Sequence, residues 1–118
     1  MKKIYHLANC TTCQAIIREN GLAAKGFTMQ NIREEKISPA QLDEMKKLAG
    51  SYEALFSRRA LKYKELGLKD QRLTEADYRR YILSEDTFLK RPVIIDGKSI
   101  YIGSEKKNLE ALKAGLKQ

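Results

Sequence analysis

The chain has no tryptophan, one histidine, two prolines and two cysteines among its 118 residues. It also lacks any run approaching the roughly 20 apolar residues of a membrane-spanning helix. Residues 1 to 8 carry two lysines but no apolar stretch of the length a secretory leader needs. The expectation is a cytoplasmic chain that neither crosses nor anchors in a membrane. Its length suits one domain, 1 to 118, with a real core and room for one site.

The two cysteines stand three positions apart, in "NCTTCQAI" at residues 9 to 16. A structural zinc needs about four ligands, and beyond Cys10 and Cys13 the soft or borderline donors amount to His6. An iron–sulfur cluster held by one chain wants more thiolates still. No metal and no bound cofactor are therefore expected. In a reducing compartment a permanent structural bridge is also the weaker reading. That leaves thiol chemistry, since two thiols at this spacing can close a disulfide, with an ordinary pair of half-buried cysteines as the alternative.

The surrounding pattern places the pair. "KKIYHLA" at 2 to 8 reads as a strand, and "CTTCQAIIRENG" as a helix with Ile16 and Ile17 on one face, stopped at Gly21. At a strand-to-helix turn the free amides and the positive end of the helix dipole favour an anion, so the Cys10 thiol should be acidified. Cys13 falls inside the first turn.

Further on, 26 to 33 alternates as a second strand, and 38 to 50 is a helix with Ser38 as N-cap, Pro39 at its first position, Gln41 completing a capping box and Gly50 as its stop. Residues 51 to 84 read as two or three short helices, with "SYEALFSRRALKYKELG" ending at Gly67 and "TEADYRRYIL" opened by Thr74 and Asp77. "RPVIIDGKSIYIG" gives a hairpin around Asp96-Gly97, and Ser104 opens a last helix with Leu109 and Leu112 inward.

A surplus of 23 Lys and Arg over 15 Asp and Glu, net +8, raises the question of nucleic acid. The basic residues are spread through every element, the aromatics form no stacking motif, and no helix-turn-helix or finger signature is present. Direct nucleic-acid binding is not expected; an anionic small molecule or an acidic protein suits the charge equally well.

Strand, helix, strand, helices, hairpin, helix is an α/β order, that of the thioredoxin-like fold (β-α-β … β-β-α), here with a helical insertion at about 38 to 84. Three blocks, "IYHLANCTTC", "EALFSRRALKYKELGL" and "LKRPVIIDGKSIYIG" running into "SEKKNLEAL", resemble the arsenate reductase/Spx family of thioredoxin-like proteins over nearly the full length. The resemblance implies that Cys10 is the nucleophile and that His6, four residues before it, is the histidine of the family's arsenate reductases. It implies further that Arg91 and Pro92 form the family's arginine and cis-proline pair facing the cysteine loop. Arg59, or its neighbour Arg58, would supply the anion-binding arginine of the insert.

The same resemblance marks departures. Gln14 and Ile102 stand where the arsenate enzymes supply arginine, and Cys13 is the second cysteine of the Spx-type regulators. Two functions follow as expectations. The first is a thiol–disulfide oxidoreductase acting on a small anionic or disulfide substrate, regenerated by an external thiol system such as glutathione, glutaredoxin or thioredoxin, with arsenate reduction itself disfavoured. The second is a redox-switched regulator that binds the alpha subunit of RNA polymerase through residues 45 to 59.

Overall fold

The computed structural model describes residues 1 to 117. They form two compact units, one made of Met1–Glu35 with the chain from Arg91 onward, the other of Lys36–Lys90. The segment read as an insertion, 38 to 84, lies inside the second.

The first unit is built on a four-stranded sheet. Strands β1 (Lys2–His6), β2 (Thr28–Asn31), β3 (Val93–Asp96) and β4 (Ser99–Ile102) stand in the order β2-β1-β3-β4. β1 runs parallel to β2, with Ile4 opposite Met29, and antiparallel to β3, with Tyr5 opposite Val93. Parallel neighbours need a crossover, supplied here by helix α1 (Thr11–Glu19). Ile4 and Ile94 from the sheet pack with Ile16 and Ile17 of α1, Leu22, Phe27 and Leu112 of the last helix, α5 (Lys106–Leu116), and Tyr101 and Leu109 rest against that core. A fully buried residue such as Leu112 stabilises the fold by about 1.5–3 kcal/mol through the area it removes from water.

Two boundaries move from their expected places. The hairpin turn is Gly97 and Lys98, because Asp96 pairs with Ser99 as the last rung; Gly97 takes the left-handed conformation the tight turn needs. The cap of α5 is Glu105 instead of Ser104, and Asn108 does the joining: its Oδ1 accepts from the Ile102 N–H at 3.0 Å and its Nδ2 donates to the Gly103 carbonyl at 2.8 Å.

In the second unit, α2 (Pro39–Ala49) and α4 (Glu75–Ser84) open with the capping boxes foreseen at Ser38 with Gln41 and Thr74 with Asp77. The short helices expected up to Gly67 are a 3-10 turn (Glu53–Leu55) and the short α3 (Leu61–Glu65), separated by an extended Phe56 that bridges Leu89. Burial decides this. Phe56 is fully buried, stacked on Phe88 at 5.2 Å and tilted against Tyr78 at 4.9 Å, and this aromatic packing outweighs the helical propensity of its neighbours.

Candidate functional site: a cysteine pair at a helix N-terminus

Cys10 is the N-cap of α1, with extended backbone, and its sulfur takes the part usually played by a serine or aspartate oxygen. Sγ accepts the Cys13 backbone N–H at 3.4 Å. The Cys10 N–H in turn donates to the Leu7 carbonyl at 3.1 Å, which fixes the turn between β1 and α1. Cys10 is half-buried and Cys13 fully buried, and both thiols are free. Apolar periodicity explains the difference, since Cys13 shares the inward face of α1 with Ile16 and Ile17.

The same placement separates the two thiols electrically. Burial pushes the Cys10 thiol up, but hydrogen bonds from the Cys13 side chain and backbone, the positive charge of Arg91 and the Thr12 N–H together hold it below its ordinary value. The helix dipole contributes about 0.3–1 kcal/mol at such a position. That is less than one pK unit at about 1.4 kcal/mol each, so the nearby donors and the arginine are needed as well. The Cys13 thiol is pushed up to about 12, first by burial and then by its hydrogen bond to Cys10 and the charge there.

Arg91 lies just before β3, half-buried, and the Arg91–Pro92 peptide bond is cis, as the family resemblance implies. Register explains how Arg91 reaches the cysteines: the antiparallel pairing of Tyr5 with Val93 sets the start of β3 beside the end of β1. Its Nη1 is buried with no hydrogen-bond partner among the described residues. A buried guanidinium nitrogen without a partner is a costly arrangement unless an anion completes it. Pro92 is buried and its carbonyl accepts the Gly103 N–H at 2.9 Å, tying the loop to the end of β4.

His6, 8 % exposed, ends β1; burial holds its imidazole below the usual histidine range, against a Leu7 carbonyl that favours the protonated ring. Gln14 meets it. Its Nε2 lies 3.1 Å from His6 Nδ1 and donates to the Leu7 carbonyl at 2.9 Å. In the sequence Gln14 stands out only as a missing arginine; its position four after Cys10, on the helix turn that faces β1, is the signal that marks it as part of the site.

Arg58 and Arg59 belong to the second unit. Arg58 is engaged there, 2.8 Å from a Glu53 carboxylate oxygen and 3.0 Å from the Tyr78 hydroxyl. Arg59 is exposed, and its guanidinium has no hydrogen-bond or ion-pair partner among the described residues. Of the two, Arg59 is the one with a guanidinium left for an external anion. Among the described residues no three His, Cys, Asp or Glu side chains come together as metal ligands, and no helix is long and apolar enough to cross a membrane.

Residues 5–112 match the model of the ArsC family. No curated protein matches the chain. Among solved structures it is similar to the arsenate reductase from Vibrio cholerae, at 17 % identity, covering 95 % of each chain with a TM-score of 0.77. It is also similar to an arsenate reductase related protein from Brucella melitensis, at 21 % identity, covering 93 % of this chain and 92 % of that one with a TM-score of 0.71. A Staphylococcus aureus protein of 25 % identity covers 94 % of this chain and 97 % of its own, with a TM-score of 0.72. These likenesses bear out the α/β, thioredoxin-like fold.

Proposed function

The chain belongs to the ArsC family, and from the contrast between its two thiols we propose that it is a thiol–disulfide redox protein working through Cys10 and Cys13. The observation that carries this reading is the Cys13 N–H donated to a half-exposed Cys10 sulfur, with a buried, high-pKa Cys13 one turn behind it.

Cys10, as thiolate, attacks one sulfur of a substrate disulfide; the new S–S bond forms as the other substrate sulfur leaves and takes up a proton. Forming that mixed disulfide removes the charge at Cys10 and the hydrogen bond to it, two of the causes that hold the Cys13 thiol up. Cys13 then gives up its proton, attacks the Cys10 sulfur and releases the second substrate thiol. Two electrons have passed to the substrate, and an external thiol such as glutathione, glutaredoxin or thioredoxin returns them. Arg91 offsets negative charge at the attacking sulfur and presents an unmatched donor to an anionic substrate group.

Arsenate is a poor substrate on this reading. A charge-assisted hydrogen bond contributes about 1.5–3 kcal/mol, so holding a doubly charged oxyanion against water takes several, and Gln14 and Ile102 bring no charge. Incubation of the reduced chain with glutathione disulfide, followed by intact-mass measurement, tests the reading. A transient Cys10 adduct that resolves into an intramolecular disulfide is expected, and in Cys13→Ser the adduct accumulates. Absence of any Cys10 adduct overturns it. A pair that closes in this way without turning over any substrate, in a chain captured by the RNA polymerase alpha subunit, would favour the regulatory reading.

A further inference from the structure

Gln14 has two amide protons and the structure supplies two places for them. Its Nε2 is 2.9 Å from the Leu7 carbonyl oxygen, a group that can only accept. Turning the amide over would press Oε1 against that oxygen, so the orientation is fixed by the backbone. The second Nε2–H then points at His6 Nδ1, 3.1 Å away, which has to be the acceptor. A neutral imidazole with an accepting Nδ1 carries its proton on Nε2.

We propose that Gln14 is a positioning residue that holds the His6 imidazole in its Nε2–H tautomer, so that the ring offers a hydrogen-bond donor where the opposite tautomer would offer a base. The alternative tautomer would need Nδ1–H to donate to the Leu7 carbonyl, and that oxygen already receives the Gln14 amide and the Cys10 N–H. Both of its lone pairs are in use. Burial opposes a charge on the ring and outweighs the Leu7 carbonyl, which favours it; Asn31 stands opposite His6 on β2 with its Oδ1 taken by the Ala8 N–H, and the His6 carbonyl accepts the Ile32 N–H. A protonated ring would set Nδ1–H against the Gln14 N–H, so the clamp also opposes imidazolium.

The consequence for catalysis rests on the thiol–disulfide reading above. With Nδ1 closed by Gln14 and a proton on Nε2, His6 does not take the proton of Cys10; the thiol ionises through Cys13, Arg91 and Thr12. The arrangement further ties α1 to β1 directly behind the cysteine turn.

His6 is the one histidine of the chain, so untagged, 15N-labelled protein gives a single set of ring signals in long-range 1H–15N spectra. In the parent chain near neutral pH the spectrum should show Nε2 protonated and Nδ1 bare. In Gln14→Glu the carboxylate should draw a proton onto Nδ1 and raise the His6 midpoint by about one pH unit or more. In Gln14→Met the Leu7 carbonyl loses a donor, and the Nδ1–H form should become populated. A predominant Nδ1–H tautomer in the parent chain overturns the proposal, and that measurement stands even where a variant fails to fold. Equal tautomers and midpoints in all three folded proteins overturn it too. Failure of Cys10 to form adducts would count against the redox reading and leave the ring assignment intact.

Discussion

The Cys10 sulfur and the Cys13 backbone N–H are 3.4 Å apart, in the place where a helix takes its N-cap hydrogen bond. Cys10 is thus held by the helix it caps, while Cys13 is covered by it. Limiting iodoacetamide should label Cys10 before Cys13, with a rate that rises through a pH below the ordinary thiol value, because the alkylated species is the thiolate. Peptide mass mapping reads the order; Cys13 labelled first would reverse the two roles.

Arg91 lowers both thiols by its charge. Replacing it as Arg91→Gln should move the inflection of Cys10 alkylation upward by about one pH unit, toward the small end of opposite-charge effects because the site is half open to water. Near neutral pH the alkylation rate should then fall roughly tenfold, since the thiolate fraction drops in proportion as the inflection rises. Arg91→Lys should recover part of it, and raised salt should narrow the gap between parent and variant.

Arsenate turnover coupled to glutathione and glutaredoxin should be weak or absent, while the Cys10 and Cys13 thiols close reversibly. Robust arsenate turnover that survives Cys13→Ser would mean that one cysteine suffices and that the second is incidental. Thiol counting of the oxidised chain provides the control, since closure removes both free thiols and a reducing dithiol restores them.

Asp43 of α2 accepts from the Tyr52 hydroxyl at 2.6 Å and from Arg79 of α4 at 2.9 and 3.2 Å. The Arg79 and Tyr52 hydrogen bonds hold its carboxyl down to about 2, from an ordinary 3.8. A lowered folded-state value means stability present above 3.8 and lost as pH falls toward 2. Asp43→Asn should therefore lower the urea midpoint near neutral pH, and its difference from the parent chain should vanish at about pH 2. An undiminished difference in acid would assign the effect to packing.

Local chemistry was legible in the sequence where one segment decides the outcome. Ser38 with Gln41, Thr74 with Asp77, and Cys10 ahead of an apolar-faced helix each declare a boundary through side chains that can satisfy a free backbone group within three residues. Elements set by partners far along the chain were not. Phe56 looks helical beside its neighbours, yet its place is fixed by Phe88 and Leu89, more than thirty positions on. Ser104 is a plausible cap, but the Asn108 amide spans from α5 to Ile102 and leaves the cap to Glu105. In the site, the cysteine spacing and the Arg91–Pro92 pair could be read directly or through resemblance. The Gln14 to His6 contact could not, because it depends on which turn of α1 faces the end of β1.

The two thiols lie within a single turn of one helix, and Cys13 supplies the hydrogen bonds that do most to acidify the outer one, whereas the arginine that adds to them arrives with β3, after most of the chain. Their proximity is thus a local property and their inequality only partly so. A partly folded chain that has formed α1 without docking β3 holds the same pair with a weaker nucleophile. The ratio of Cys10 to Cys13 labelling, followed through a urea titration, therefore becomes an internal gauge of whether β1 and β3 are in register.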